Sequence, residues 1–398
     1  MKIKVMRIIS RMNVGGPSFH VTYLTEHMNN SRFEKLLVRG SVEEGEGSMD
    51  YLLESRGISS VVIPEMSREV RPLKNLVALY KLYKLIRREK PDIVHTHLAM
   101  AGFLGRSAAI MAGGAKVVHT FHGHTLKGYW GKAKTGFFAT LERILAARSD
   151  CLIAVSDRVR RDLIAGGIAK PEKIITIHLG LDLKRFTETE KYKGQFRREL
   201  GIGEDTILVG SIARMVPVKN HALLVDAAAR IKSNNIKFVI VGDGQLRDAV
   251  ERKIRDEGLE DKFIFTGFRR DLEKIYSGLD ISVISSLNEG LPVAVIESMT
   301  AGVPVVSTDV GGVRELIDDG VNGYVVPSLN PVELARKIEK LSQDNEKRNE
   351  FGALAVNKVY PYLEYTRLVK DIEDLYETLM AEKDFQFLNM RGFHRENE

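Results

Sequence analysis

Asn288-Glu289-Gly290-Leu291-Pro292-Val293-Ala294-Val295-Ile296-Glu297-Ser298-Met299-Thr300-Ala301-Gly302 sets two carboxylates in an otherwise apolar run. Pro292 suits the first position of a helix, where its missing N–H costs nothing. Val295, Ile296 and Met299 then form an apolar stripe at helical spacing. The pattern predicts Glu289 in a loop at a helix mouth and Glu297 about two turns in. Such a mouth offers unpaired backbone N–H groups and the positive end of the helix dipole. A neutral polyol placed there would bond Glu289 and those amides together. The competing reading is an amphipathic helix with two solvated glutamates.

On either side of this stretch, short apolar runs alternate with longer amphipathic ones, the signature of βαβ units and parallel sheets. In the first half, strands are expected at Val5–Ile9, Val61–Ile63, Ile93–His95, Val117–Thr120, Leu152–Val155 and Ile174–Ile177. Thr187–Leu200 is charged and polar, shows no strand pattern, and reads as the crossover between domains. The alternation then restarts, with strands at Ile207–Ser211, Phe238–Val241, Phe263–Phe265, Ile281–Ile284, Val303–Val306 and Tyr324–Val326. The fold class expected is α/β: two facing, doubly wound, Rossmann-like domains with a cleft between them. Residues 1–186 form the first domain and 187–363 the second. A last amphipathic helix, about 364–383, packs back on the first domain, and 384–398 is a tail. In such sheets ligands bind outside the carboxyl ends of the strands.

The chain has 398 residues and a formal net charge of +6, which suits a phosphate-bearing ligand, an anionic membrane surface or nucleic acid and selects none of them. Its single cysteine, Cys151, opens an apolar run, so a disulfide framework is excluded and a buried inert thiol is expected. Met1-Lys2-Ile3-Lys4 leads straight into the first strand, so no signal peptide is expected, and no uncharged apolar stretch is long enough to cross a membrane. The location expected is cytoplasmic, with a peripheral position at the inner face of a membrane left open.

Three further segments carry chemistry. Gly15-Gly16 follows the first strand and opens the first helix, where glycines let backbone approach a phosphate. It is neither a dinucleotide fingerprint nor a P-loop, and a plain βα turn is the alternative. Arg214 leaves the end of a strand and Lys219 stands before a helix, so two cations can neutralise a diphosphate, the arginine bidentately and the lysine as a point charge. His119, His122 and His124 follow another strand. Alternate residues of an extended segment point to opposite faces and no acid completes a ligand set, so no metal is expected there. A histidine bonding a neutral sugar or polarising an acceptor is the favoured reading, with His95 and His97 either supporting it from behind or satisfied in the core. Gly242, after Val241, and Arg269, after Gly267, stand at strand ends where a base pocket or a simple turn would lie.

Together, Gly15-Gly16, His122-Gly123, Arg214 with Lys219, and Glu289 with Glu297 resemble the retaining nucleotide-sugar glycosyltransferases of family 4, which have the GT-B fold. The resemblance extends to Ala154-Val155-Ser156, Gly180-Leu181-Asp182 with Phe186, and Asp309–Ile317, and spans about residues 4–362. It implies that Arg214 and Lys219 grip the donor diphosphate and that Gly16 adds a backbone N–H. It further implies that Glu297 bonds the ribose, and that Glu289 with the amides of Gly290 and Leu291 holds the transferred sugar. His122 then lies by the sugar ring and Arg269 beside the base. Arg and Lys replace the divalent ion of other glycosyltransferases, so neither metal nor cofactor is expected, and the nucleotide sugar is a substrate. The partners implied are a nucleoside-diphosphate-linked hexose or N-acetylhexosamine, with UDP the favoured nucleotide, and a glycan or lipid-linked acceptor, with no nucleic acid. A departure is Thr125–Phe138, where Lys127, Tyr129, Trp130, Lys132, Lys134, Phe137 and Phe138 mix basic and aromatic character as interfacial segments do. With Lys81, Lys84, Arg87, Arg88 and Lys90, it suggests peripheral membrane contact through the first domain. A nucleotide-sugar 2-epimerase of the same fold is the rival enzyme; it would form product without an acceptor.

Overall fold

The computed structural model describes residues 2–43, 47–67, 70–123 and 132–391. The chain divides into two compact units, Met1–Leu181 with Tyr365–Glu398, and Asp182–Glu364. The division falls at Leu181/Asp182, ahead of the polar stretch read as the crossover. That stretch belongs to the second unit, because Phe196 within it is fully buried and packs against Gly278.

The first unit is built on a seven-stranded sheet: β1 (Ile3–Ile9), β2 (Phe33–Arg39), β3 (Ser60–Val62), β4 (Ile93–His97), β5 (Lys116–Phe121), β6 (Cys151–Ala154) and β7 (Ile174–Thr176). Their spatial order is β3-β2-β1-β4-β5-β6-β7 and every pairing is parallel. Near-continuous apolar runs such as Cys151–Ala154 suit strands buried on both faces. β2 escaped the sequence pattern because Glu34 and Lys35 interrupt it. The fold satisfies both charges locally: Glu34 is exposed, and the Lys35 ammonium donates to the carbonyls of Glu26 and Met28 at 3.3 and 2.9 Å, closing the helix Gly16–His27.

The helix Tyr365–Met380 completes this unit. Leu368, Ile372, Leu375 and Tyr376 pack with Val5, Leu24, Ile93, Val118, Ile153 and Ile175 in one core. Tyr376 is fully buried, with its hydroxyl 2.6 Å from His95 Nδ1 and 3.5 Å from the donating Arg7 Nη2. Thr120 Oγ1 stands 2.7 Å from His95 Nε2, so this core histidine is satisfied at both nitrogens.

The second unit carries β8 (Ile207–Ile212), β9 (Ile236–Val241), β10 (Phe263–Gly267), β11 (Ile281–Ile284), β12 (Val305–Thr308) and β13 (Gly323–Val326). The order is β10-β9-β8-β11-β12-β13, again all parallel. Both sheets therefore have the doubly wound order in which the chain reverses beside its first strand. The helix Pro331–Ser342 starts at Asn330, whose side chain accepts from Glu333 N. The helix Asn345–Val359 was not foreseen, because its sequence is largely polar. Asp344 caps it, and Gly352 lets its backbone touch the Gly302 carbonyl, which a Cβ would meet at 2.1 Å. Among the described residues no helix is long and apolar enough to cross a membrane.

Candidate functional site

In the second unit the predicted residues gather at the carboxyl ends of β8, β9 and β11. The loops leaving β8 and β9 are laced together: Ala213 N donates to Val241 O at 3.0 Å and Met215 N to Asp243 O at 2.9 Å. Gly242, at φ +144°, is required by this approach, since a Cβ there would stand 2.1 Å from the Ala213 carbonyl. Its role in the structure is thus to hold the loop that carries the half-buried Arg214.

A 3₁₀ turn, Pro217–Lys219, then presents Lys219. Its ammonium donates to Glu289 Oε1 at 2.6 Å, and the Ser286 hydroxyl donates to the same oxygen at 2.6 Å. Leu287 N donates to Val218 O at 2.8 Å, and the Ser285 hydroxyl to Lys219 O at 3.0 Å, so the two loops are fixed to each other. The Glu289–Gly290 turn is clamped from behind by Gly311-Gly312. Gly312 N donates to Gly290 O at 2.8 Å, and a Cβ on Gly311 would meet Glu289 O at 2.1 Å. The Glu289 side chain is 12% exposed, which excludes the solvated reading.

Pro292 caps the helix Val293–Thr300 rather than opening it, so Glu297 lies about one turn in, not two. Glu297 is buried, and the Tyr276 hydroxyl donates to its Oε2 at 3.2 Å. Burial pushes its carboxyl up to about 7, against the pull of Arg185 and of the Tyr276 hydrogen bond. Perturbed carboxyls of this kind cluster at functional sites. Arg269 departs from expectation. Its guanidinium is saturated by Asp271, at 2.8 and 2.6 Å, and by Glu199, which Lys274 also binds. It stands in a carboxylate cluster, not as an uncommitted cation. The sequence reading also missed Ser286 and His221. The latter is buried beside Lys219 and held down to about 4 by that burial and by the lysine's charge.

In the first unit, Gly15 at φ +155° precedes the helix Gly16–His27, giving the strand, glycine turn and helix expected. His122 stands just past β5, half-buried, with Nε2 3.1 Å from His97 Nδ1. His119 turns to other partners, its Nδ1 2.8 Å from Thr96 Oγ1. His20, unremarked in the sequence, lies against both His97 and His122, ring centroids at 5.3 and 5.0 Å. Its signal was present: it sits one turn past Gly16, on the helix that opens from the glycine turn. His124 and most of the basic–aromatic segment, Lys127, Tyr129 and Trp130 included, lie outside the described residues.

Two Rossmann-like units with polar residues gathered at their strand ends are the architecture of the GT-B class of glycosyltransferases, and the comparisons with known proteins agree with it. Residues 14–185 match the model of Glycosyltransferase Family 4 and residues 193–357 that of Glycosyl transferases group 1. The chain is 32% identical over 316 residues to the putative glycosyltransferase EpsD of Bacillus subtilis, covering 77% of this chain and 82% of that one. It is 29% identical over 364 residues to an Escherichia coli UDP-Gal:α-D-GlcNAc-diphosphoundecaprenol α-1,3-galactosyltransferase, covering 90% and 92%. Among solved structures, sucrose-phosphate synthase from Thermosynechococcus elongatus superposes with a TM-score of 0.82 at 19% identity, over 96% of this chain and 100% of that one. HepE from Anabaena, in complex with UDP-glucose, gives 0.80 at 22%, over 95% and 100%. These last two establish the fold. The chain belongs to the family-4 glycosyltransferases.

Proposed function

We propose that this enzyme transfers a hexose or N-acetylhexosamine from a UDP-linked donor to a glycan or lipid-linked acceptor, with retention of anomeric configuration. The observation that carries the reading is the Lys219–Glu289 pair. Residues distant in sequence are brought to 2.6 Å at neighbouring strand ends. A cation there meets the diphosphate, and the anion beside it takes sugar hydroxyls. Glu297, deeper along its helix, receives the ribose hydroxyls.

As the bond from the anomeric carbon to the diphosphate oxygen breaks, negative charge grows on the leaving group. Arg214, Lys219 and the Gly16 amide stabilise it, with Gly15 allowing the backbone approach. The acceptor hydroxyl attacks the anomeric carbon from the face the diphosphate leaves, and its proton passes to the departing phosphate. No divalent ion and no cofactor are required, because protein cations carry the compensating charge. His122 and the Gly290 and Leu291 amides hydrogen-bond the transferred sugar.

The E. coli relative acts, by its name, on a diphosphoundecaprenol acceptor with UDP-galactose. This supports a lipid-linked acceptor here. So does the surface of the helix Pro72–Glu89, which exposes Leu73, Leu76, Val77 and Tyr80 ahead of the exposed Lys81, Lys84, Arg87 and Arg88. Apolar side chains beside lysines and arginines suit the headgroup region of an anionic bilayer. The test is a screen of UDP-sugars against polyprenyl-diphosphate-linked and free glycans, with the anomeric configuration of the product read by NMR. Inverted product, or turnover of the donor to an epimer without any acceptor, would overturn the proposal.

A further inference from the structure

We propose that His20, His97 and His122 form a binding site for a borderline-soft divalent metal such as Zn²⁺ or Co²⁺. One ring nitrogen from each lies within 4.8 Å of the other two. His97 Nδ1 and His122 Nε2 are 3.1 Å apart. Two ligands held 2.0–2.1 Å from a tetrahedral ion are separated by about 3.3 Å, so this pair already has the bite of a chelate. The three come from separate rigid elements: His20 from the helix Gly16–His27, His97 from the last position of β4, and His122 from the exit of β5.

A second observation points to a ligand. His20 is 1% exposed and His97 is fully buried. Neither nitrogen of His20 has a hydrogen-bond partner, and Nε2 of His97 has none either. Buried polar atoms are normally paired, and three unpaired imidazole nitrogens in one cluster call for an explanation. His95, one strand position pair away, shows the ordinary solution, with both its nitrogens bonded.

The chemistry selects the metal. A set of three imidazoles with no carboxylate favours Zn²⁺, Co²⁺, Ni²⁺ or Cu²⁺ over Mg²⁺ or Ca²⁺. Three ligands leave the fourth tetrahedral position open to water. Arg7 and Arg367 add positive charge to the surroundings of His20. Arg367 is paired with Asp371 at 2.9 Å and Arg7 donates to Thr25 at 3.0 Å; their field weakens the site without occupying its nitrogens. One consequence rests on the proposed function: a metal on His122 takes that ring from the sugar, so Zn²⁺ inhibits transfer.

The experiment titrates the chelator-stripped chain with Co²⁺ and follows its visible d–d absorption. One saturable equivalent with the intense bands of tetrahedral cobalt is expected, displaced by Zn²⁺ and not by Mg²⁺. His20→Asn and His97→Ala should each weaken it at least tenfold. Because a buried substitution can unfold the chain, each variant is checked by circular dichroism, and a Zn²⁺-dependent rise in the melting temperature of the unaltered protein is measured in parallel. Absence of both the bands and the rise, or full binding in a folded His20→Asn variant, overturns the site. Binding with undiminished transfer leaves the metal site standing and refutes the placement of His122 at the sugar.

Discussion

Replacing Glu297 with glutamine should make the protein more stable and a worse binder of nucleotide, and the two effects should depend differently on pH. The carboxyl is buried, and its folded pKa of about 7 stands above the ordinary 4.5. The folded state therefore holds this proton more tightly than the unfolded chain does. Its contribution to stability is fully present below pH 4.5 and is lost as pH rises to 7, after which it stays constant. At 1.36 kcal/mol per pKa unit the loss is about 3 kcal/mol, an upper bound because structure and water relax around a buried charge. Glutamine has nearly the same shape and no charge, and it can still accept from the Tyr276 hydroxyl. Urea denaturation should thus show the variant equal to the parent near pH 4.5 and up to about 3 kcal/mol more stable at pH 8. Nucleotide binding runs the other way. Ribose hydroxyls favour the carboxylate, so affinity for UDP should rise with pH through 7 in the parent. Glutamine should lower it roughly 10- to 100-fold at pH 8, the worth of a charge-assisted hydrogen bond at about 1.5–3 kcal/mol. Calorimetric titration with UDP at pH 6 and 8 measures this, and the variant supplies the nucleotide's own titration as a baseline. A variant less stable than the parent at pH 8 that binds UDP equally well would refute the reasoning.

Glu289→Gln should leave UDP affinity within a factor of a few and lower transfer rate or donor-sugar selectivity; equal weakening of UDP by both glutamate variants would end the division of labour. Lys219→Ala and Arg214→Ala should each weaken UDP and UDP-sugar together, roughly tenfold or more in calorimetry, with unchanged affinity in both removing them from the site. Transfer should survive exhaustive chelation, and loss that manganese or magnesium restores would show that protein cations do not suffice. Tyr376→Phe should cost about 1–3 kcal/mol in urea denaturation, because His95 Nδ1 loses its partner at 2.6 Å inside a dry core. A smaller loss would mean that Arg7 or a buried water replaces the hydroxyl.

The second unit was almost wholly legible because its strands are short uninterrupted apolar runs, the one signal that a single sequence carries strongly. Val303–Val306 was read two residues early, since Val303 and Pro304 continue the apolar run ahead of the strand, which spans Val305–Thr308. β2 and the helix Asn345–Val359 stayed hidden for a common reason: each satisfies its charges through tertiary partners or solvent, and periodicity does not report that. At the site, residue types and strand-end positions were legible; partners were not. Nothing in the spacing says that Arg269 spends its donors on Glu199 and Asp271, or that Gly242 exists to admit the Ala213 carbonyl. His20 was hidden because its meaning depends on two strand ends far along the chain.

The helix Tyr365–Met380 also sets a timetable for synthesis. Everything the second unit needs has left the ribosome by Glu364, whereas Arg7, His95 and the floor of the first sheet must wait for Tyr376. The unit that is made first is finished last. Its apolar underside, Val5, Ile93, Val118 and Ile153 among others, stays uncovered while nearly two hundred residues are added. That interval is when a nascent chain is most exposed to association with its neighbours. A chain stopped at Glu364 would carry the same exposure permanently, and would aggregate for want of a lid on its first core rather than for any defect at its catalytic residues.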